Sequence, residues 1–298
     1  LIHAHFIYPD GVAAARLAER YGVPVVTTEH ALWQPWMDRH AHVRRLAIQA
    51  VRRCSLQMAA SRQLAASIAQ VTGQPDKIRL VPIGLNRAVF KLPPPGMARD
   101  PQQIVYIGRL QFVKGVDVLL RAVRRVTQRG QAIRLVLVGG SFYRQWNVEE
   151  QQLRALAHEL GIDGQVAFVG PKSPAEVAQI MQQSAATVLP SRRESFGTVL
   201  IESLACGTPV IATRCGGPED IVGAEQGLLV PVEDVGALAA AIETMLCQSD
   251  RYPRAALARQ ATERYAWDVV ARQTMAVYQE ALASAPTVAR APAVAATQ

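Results

Sequence analysis

The chain has 298 residues, half of them hydrophobic, 20 glycines, 18 prolines and a formal net charge of +8. That length fits two ordinary domains or one large one, the hydrophobic share is ample for buried cores, and no apolar run reaches membrane-spanning length. The charge is uneven, with eleven Lys/Arg against five Asp/Glu in residues 1–90, but no zinc-finger spacing, RNP-like aromatic motif or recognition-helix pattern accompanies it, so nucleic acid is set aside as a partner.

Apolar strand-like runs alternate with helical periodicity almost throughout, the pattern of parallel α/β domains. Residues 1–6 read as a strand, 11–21 as a helix and 23–28 as the next strand. A helix over 41–54, a short strand at 56–60, a helix over 62–72 and a strand at 78–83 follow. Lys91-Leu92-Pro93-Pro94-Pro95-Gly96 is a stiff, proline-rich break and the best linker. Beyond it the series runs strand 103–108, helix 116–128, strand 134–139, helix 149–160, strand 166–169, helix 174–183 and strand 186–189. A helix over 198–206, strands at 210–213 and 227–230, and helices over 235–246, 254–264 and 267–282 complete it. The Ala/Pro-rich tail lacks periodicity and reads as disordered.

The run from Glu194 to Ala212 carries the most chemistry. It sets two carboxylates, Glu194 and Glu202, around a helix start at Gly197-Thr198, with Gly207 suited to the C-terminal cap and Pro209 barring continuation. Open amides at such a start attract an anion such as a diphosphate, and a flanking carboxylate accepts hydrogen bonds from vicinal sugar hydroxyls. Diphosphate plus sugar diols describes a nucleotide-sugar. Arg109 and Lys114 follow a strand and Gly108, which puts both cations at a strand's carboxyl end, where α/β sheets bind ligands. No Asp-x-Asp pair is present to hold a divalent metal, so positive side chains and a helix terminus are expected to do that work.

The segment closely resembles the E-x7-E signature of the GT-B glycosyltransferases, in particular the large retaining family 4. Tyr106-Ile107-Gly108-Arg109-Leu110 with Lys114-Gly115-Val116-Asp117 resembles that family's donor-phosphate element. Leu137-Val138-Gly139-Gly140 is similar to the strand that follows it, and Gly216-Gly217-Pro218-Glu219 to the turn after the signature helix. The resemblance implies an α/β GT-B architecture, two Rossmann-like domains facing across a cleft, with the first domain truncated because the chain opens on a strand from its middle. The expected division is a partial acceptor-side domain at 1–90, a linker at 91–102, a donor-binding domain at 103–262, a C-terminal helix at 263–284 returning toward the first domain, and a disordered tail at 285–298.

The resemblance also implies roles. Glu202 goes to the ribose hydroxyls and Glu194 to the transferred sugar. Gly108, Arg109 and Lys114 face the diphosphate, and Phe196, Gly197, Thr198 and Val199 offer backbone amides. His5 matches a family histidine that reaches the donor sugar and is preferred over His3. His30 matches a recurrent "T-x-H" position, although Glu29 and Ala31-Leu32-Trp33 depart from the commoner ending. Gly84-Leu85-Asn86 resembles a family turn. The implied reaction is metal-independent hexosyl transfer from a UDP- or GDP-sugar, with retention, to a lipid-linked or glycan acceptor in cell-envelope or exopolysaccharide synthesis. A nucleotide-sugar-binding module without catalysis and a GT-B epimerase are the alternatives.

Two readings concern location. Cys54, Cys206, Cys215 and Cys247 show no C-x-x-C spacing, which fits reduced thiols in the cytoplasm, and the first residues carry no readable signal peptide. The helix bearing Arg44, Arg45, Arg52 and Arg53 also holds Val43, Leu46, Ala47 and Val51, an amphipathic pattern that suits either a solvated charged face packed on a Rossmann sheet or a peripheral position on anionic lipid at the inner membrane face.

Overall fold

The computed structural model describes residues 1–31, 39–140 and 148–284. The chain divides into two compact units, Leu1–Val81 together with the described residues from Ala271 to Ser284, and Pro82–Val270. The predicted tail at 285–298, and Leu32 and Trp33, lie outside the described residues.

In the first unit, β1 (Ile2–His5), β2 (Val25–Glu29), β3 (Leu56–Ala59) and β4 (Ile78–Leu80) form a parallel sheet in that order. Helices α1 (Val12–Tyr21), α2 (Ala41–Arg53) and α3 (Arg62–Thr72) connect them. Val43, Ala47, Ala50 and Val51 recur at helical spacing and are buried, so α2 packs one face inward. The Ser61 hydroxyl accepts a hydrogen bond from the Leu64 amide at 3.1 Å and fixes the start of α3. β4 ends earlier than the predicted 83, just ahead of Pro82, which has no amide to give a ladder. β1 likewise stops at His5, because Phe6 takes a left-handed φ of 70° and turns the chain out of the sheet.

In the second unit the strands are β5 (Asp100–Ile107), β6 (Arg134–Val138), β7 (Val166–Gly170), β8 (Ser184–Leu189), β9 (Val210–Thr213) and β10 (Gly227–Val230). All pairs are parallel, in the order β7-β6-β5-β8-β9-β10. Counted along the unit this is 3-2-1-4-5-6, the dinucleotide-fold order. Helices α4 (Val116–Gln128), α5 (Val148–Glu159), α6 (Pro174–Gln183), α7 (Thr198–Ala205), α8 (Val235–Gln248) and α9 (Arg254–Tyr265) flank it. α4 packs against α8 and α7 against α9. Ile104, Tyr106, Leu119, Val123, Leu135, Leu137, Ile242 and Met245 lie in one continuous core between sheet and helices. A capping box starts α6: Ser173 Oγ accepts from the Glu176 amide while Glu176 Oε2 accepts from the Ser173 amide.

The boundary between the units falls ahead of the predicted linker, and the reason is local. The Leu85 amide donates to Tyr265 O at 2.6 Å, and the Trp267 amide donates to Leu85 O at 3.2 Å. A Cβ at residue 84 would stand 2.2 Å from the Trp267 ring, so only glycine admits that approach. Residues 82–90 therefore belong with the second unit, and the prolines at 93–95 lie within it. The last helix, α10 (Trp267–Ala283), begins in the second unit, and its residues from Ala271 group with the first.

Candidate active site

Strand order in the second unit reverses between β5 and β8, and ligands in such sheets bind beyond the strands' carboxyl ends at that reversal. The loop after β5 begins at Gly108. Fully buried Tyr106 donates from Oη to Arg109 O at 2.6 Å, which fixes the backbone there while the Arg109 side chain stays exposed. A single helical turn, Phe112–Lys114, ends on Gly115 at φ 66°, where a Cβ would come within 2.1 Å of Pro190 O. Glycine at 115 thus lets the β5 loop lie directly on the end of β8.

The β8 loop answers with Glu194. Its Oε2 accepts from Lys114 Nζ at 2.6 Å, and both side chains are largely covered, at 17% and 14% exposure. The sequence-predicted cation and carboxylate are therefore one ion pair joining the two loops at the reversal. From the other side the Gly217 amide donates to Glu194 O at 3.0 Å. A Cβ at 217 would stand 2.4 Å from Phe196 N, so this glycine too is required by close backbone packing.

Gly197, at φ 99°, is the N-cap of α7, and no side chain caps the helix. Among the described residues the Thr198 and Val199 amides have no hydrogen-bonding partner. Phe196 turns its side chain inward, 2% exposed and edge-on to Tyr265, so it has only backbone to offer a ligand. One turn into α7, Glu202 is half-buried and no group among the described residues donates to its carboxyl. Burial pushes its pKa up to about 7. A carboxyl placed this way gains if a ligand brings hydroxyl donors.

In the first unit His5 lies exposed at the end of β1 and is hydrogen-bonded, Nδ1 to His30 Nε2, at 2.8 Å. His3 is the more enclosed: Nε2 is 2.7 Å from Thr28 Oγ1 and Nδ1 is 2.6 Å from the Tyr278 hydroxyl of α10. Burial, then positive charge on His5 and His30, pushes the His3 pKa down to about 4. Burial, then His5, lowers that of His30. Glu29 organises the surrounding backbone, accepting from the Ile7 amide at Oε2 and from the His30 and Ala31 amides at Oε1.

α2 exposes Arg44, Arg45, Arg52 and Arg53, and Arg53 pairs with Glu19 at 2.8 Å. Its apolar residues Val43, Ala47 and Val51 are buried in the unit rather than turned outward, on a helix that packs against α1, α3 and the turn at Ile7–Gly11. The amphipathic reading of this helix is corrected to that extent: it presents charge, not an insertable apolar stripe. No helix among the described residues is long and apolar enough to cross a membrane, and no cluster of three His, Cys, Asp or Glu side chains among them could hold a metal ion. Cys54, Cys206 and Cys215 are buried and Cys247 is exposed, all as free thiols.

Comparison with known proteins joins the two halves. The family described as Glycosyl transferases group 1 matches residues 91–264, and Glycosyltransferase Family 4 matches residues 1–89. The chain belongs to the group 1 glycosyltransferases. A D-inositol 3-phosphate glycosyltransferase of Acidothermus cellulolyticus is 34% identical over 97% of this chain and 69% of its own length. One from Frankia alni is 32% identical over 96% of this chain and 75% of its own. The chain thus spans about seven tenths of the length of such relatives. Among solved structures, the sucrose-phosphate synthase of Thermosynechococcus elongatus superposes with a TM-score of 0.82 at 26% identity, over 95% of this chain and 73% of the other. Anabaena Alr3699/HepE, in complex with UDP, superposes at 0.80 with 22% identity, over 90% of this chain and 76% of its own, and agrees in the GT-B fold.

The resemblance read from the sequence and its α/β GT-B fold class hold. Of the candidate residues, the structure brings Lys114, Glu194, Gly197, Thr198, Val199 and Glu202 onto the two loops and one helix at the strand reversal. It leaves Arg109 exposed on the same β5 loop and places His5 in the other unit beside His30. The reading passed over Tyr106, which anchors the Arg109 backbone, and Tyr278, which holds His3. A tyrosine two residues before the Gly-Arg pair was the available signal for the first; no local pattern announces the second.

Proposed function

We propose that this glycosyltransferase moves a hexosyl group from a UDP-sugar to an acceptor hydroxyl with retention of anomeric configuration and without a metal ion. The observation that carries the reading is the Lys114–Glu194 pair at the strand reversal, set beside the uncapped start of α7 and the unpartnered carboxyl of Glu202. In this reading the diphosphate takes Lys114 from its carboxylate, with Arg109 and the Gly197, Thr198 and Val199 amides adding positive potential. Glu194, freed of its partner, meets the transferred sugar, and Glu202 accepts from the ribose diol. Gly108 and Phe196 contribute backbone only. His5 is proposed to act on the donor sugar. A front-face route, in which the departing phosphate accepts the acceptor's proton, fits this set, and an inverted product anomer would refute it. UDP is favoured over GDP as the leaving nucleotide because HepE has been solved with UDP and with UDP-glucose.

Two acceptor classes are consistent with the basic surplus of residues 1–90. A lipid-linked or glycan acceptor, in cell-envelope or exopolysaccharide synthesis at the cytoplasmic membrane face, would use the arginines of α2 against anionic headgroups, by charge alone. A small phosphorylated polyol is the second reading, favoured by the names of the inositol phosphate glycosyltransferases to which the chain is similar. Flotation with anionic vesicles at low and high salt separates them, since the first requires salt-sensitive binding.

The deciding experiment is a thermal-shift series with UDP, GDP and ADP on the chain and on Arg109→Ala, with and without EDTA. Ligand at 100 times its dissociation constant stabilises by about 2.7 kcal/mol. A UDP shift that survives EDTA and shrinks in the variant is expected. No shift with any nucleotide removes the donor assignment.

A further inference from the structure

We propose that Arg192 is a positioning residue for the transfer reaction, a clasp that holds Lys114 and Glu194 at their working distance. The inference rests on reading that pair as part of the donor site. Arg192 sits two residues before Glu194 on the β8 loop, and its side chain is only 13% exposed. Nη1 and Nη2 each donate to one oxygen of Asp117, both at 2.8 Å. Nη1 also donates to Phe112 O, while Nε and Nη2 donate to the two carboxylate oxygens of Glu233. All five N–H groups of the guanidinium are thereby directed at acceptors. None is left for a ligand, so Arg192 acts through other residues.

Two of those acceptors flank Lys114 in sequence. Phe112 precedes it and Asp117 follows it, and the Arg192 amide donates to Val113 O at 2.9 Å. The guanidinium carbon also lies 3.8 Å from the centre of the Phe112 ring, stacking on the same turn. One side chain therefore ties down the segment carrying the cation from the segment carrying the carboxylate. Glu233, at the far end of the β10 loop, reaches Arg192 from a left-handed φ of 65°. A non-glycine residue keeps that conformation only where its surroundings over-determine it. Its neighbour Asp234 is fixed in turn, accepting from the Ala237 amide at 2.8 Å at the start of α8. Three loops, after β5, β8 and β10, thus converge on one planar donor set that lysine cannot reproduce.

The test compares UDP affinity, by calorimetry, for the unsubstituted chain and for Arg192→Lys, Asp117→Asn and Glu233→Gln, each at a temperature where it is folded. Arg192→Lys and Asp117→Asn keep charge or shape but break the fork, and about tenfold weaker UDP binding is expected for each. Glu233→Gln loosens one arm and should weaken binding about twofold to threefold. Arg192→Ala should regain affinity in millimolar guanidinium but not in sodium chloride of equal ionic strength, a response that a general packing role would not give. UDP affinity within twofold of the unsubstituted chain for both Arg192→Lys and Asp117→Asn overturns the clasp. Should Arg192→Lys fail to fold, Asp117→Asn decides alone. No nucleotide binding by the unsubstituted chain overturns the donor-site reading instead, and the clasp with it.

Discussion

Lys114 and Glu194 in the second unit meet through backbone packing, whereas His3 and Tyr278 in the first meet through side chains far apart in the sequence. Gly115 and Gly217 let three loops of the second unit lie against one another with no side chain between, and the ion pair closes over that layer. In the first unit the rings of His3, His5 and His30 cluster at the ends of β1 and β2, and the Glu29 carboxylate ties down the adjacent amides. The second arrangement is set before a ligand arrives. The first has titratable rings at its centre, and its behaviour follows their protonation. The two units also bury ionisable groups with opposite preferences: Glu202 and His3 are each held neutral by burial, but one is an acid and the other a base.

The largest effect should come from the preset side. Lys114→Ala removes a cation from the point where charge develops on the leaving diphosphate and leaves Glu194 covered without its partner. A loss in kcat/KM of about 10² to 10³ is expected, the size seen when one such donor is removed. Steady-state kinetics with a UDP-sugar and a responsive acceptor measures it. A loss below threefold would mean that the pair is only a brace between loops. A smaller effect is expected from Glu202. If its carboxylate accepts the ribose hydroxyls, UDP binds best to the ionised form, so affinity should rise as pH passes upward through about 7. Glu202→Gln should weaken UDP binding by about tenfold and flatten that dependence. A pH-independent affinity in the unsubstituted chain would leave the ribose contact to another group.

How far each unit could be read from sequence follows from the same contrast. Gly115 and Gly217, forced by backbone contact, and Gly108 and Gly197, at positive φ, marked the loops of the second unit, and the run from Glu194 to Ala212 marked its helix start. The strands followed from apolar runs, and the sheet order fitted the family resemblance. What escaped were contacts between side chains that no spacing connects: Arg192 with Asp117, Tyr106 with the Arg109 carbonyl, and Tyr278 with His3. The contact boundary at 81/82 falls ahead of the predicted linker for a related reason, although the two family matches divide at 89/91, where the proline-rich break begins. The prolines at 93–95 are the stiffest local signal, but the pairing of Leu85 with Ala266 is long-range and decides where the unit begins. The buried face of α2 was visible as periodicity, but which partner covers it, neighbouring helices or lipid, is a tertiary fact.

The smallest expected effect concerns His3, and its sign separates the two units. Its folded pKa, about 4, lies below the ordinary 6.5, so the unfolded chain binds the extra proton more readily. Its contribution is fully present above pH 6.5 and is lost as pH falls toward 4. Glu202 does the reverse: with its pKa raised from 4.5 to about 7, its contribution is present below 4.5 and lost as pH rises through 7. Between pH 4.5 and 6.5 the Glu202 slope opposes that of His3, to which His30 adds with the same sign, so urea midpoints of the unsubstituted chain should change less there than those of the Glu202→Gln variant. Each single variant should then expose the other group. His3→Gln should leave midpoints that fall as pH rises, and Glu202→Gln midpoints that rise with pH. If His3→Gln leaves the profile unchanged, the Tyr278 and Thr28 contacts do not hold the ring neutral, and the histidine cluster is no more pH-sensitive than the second unit's loops.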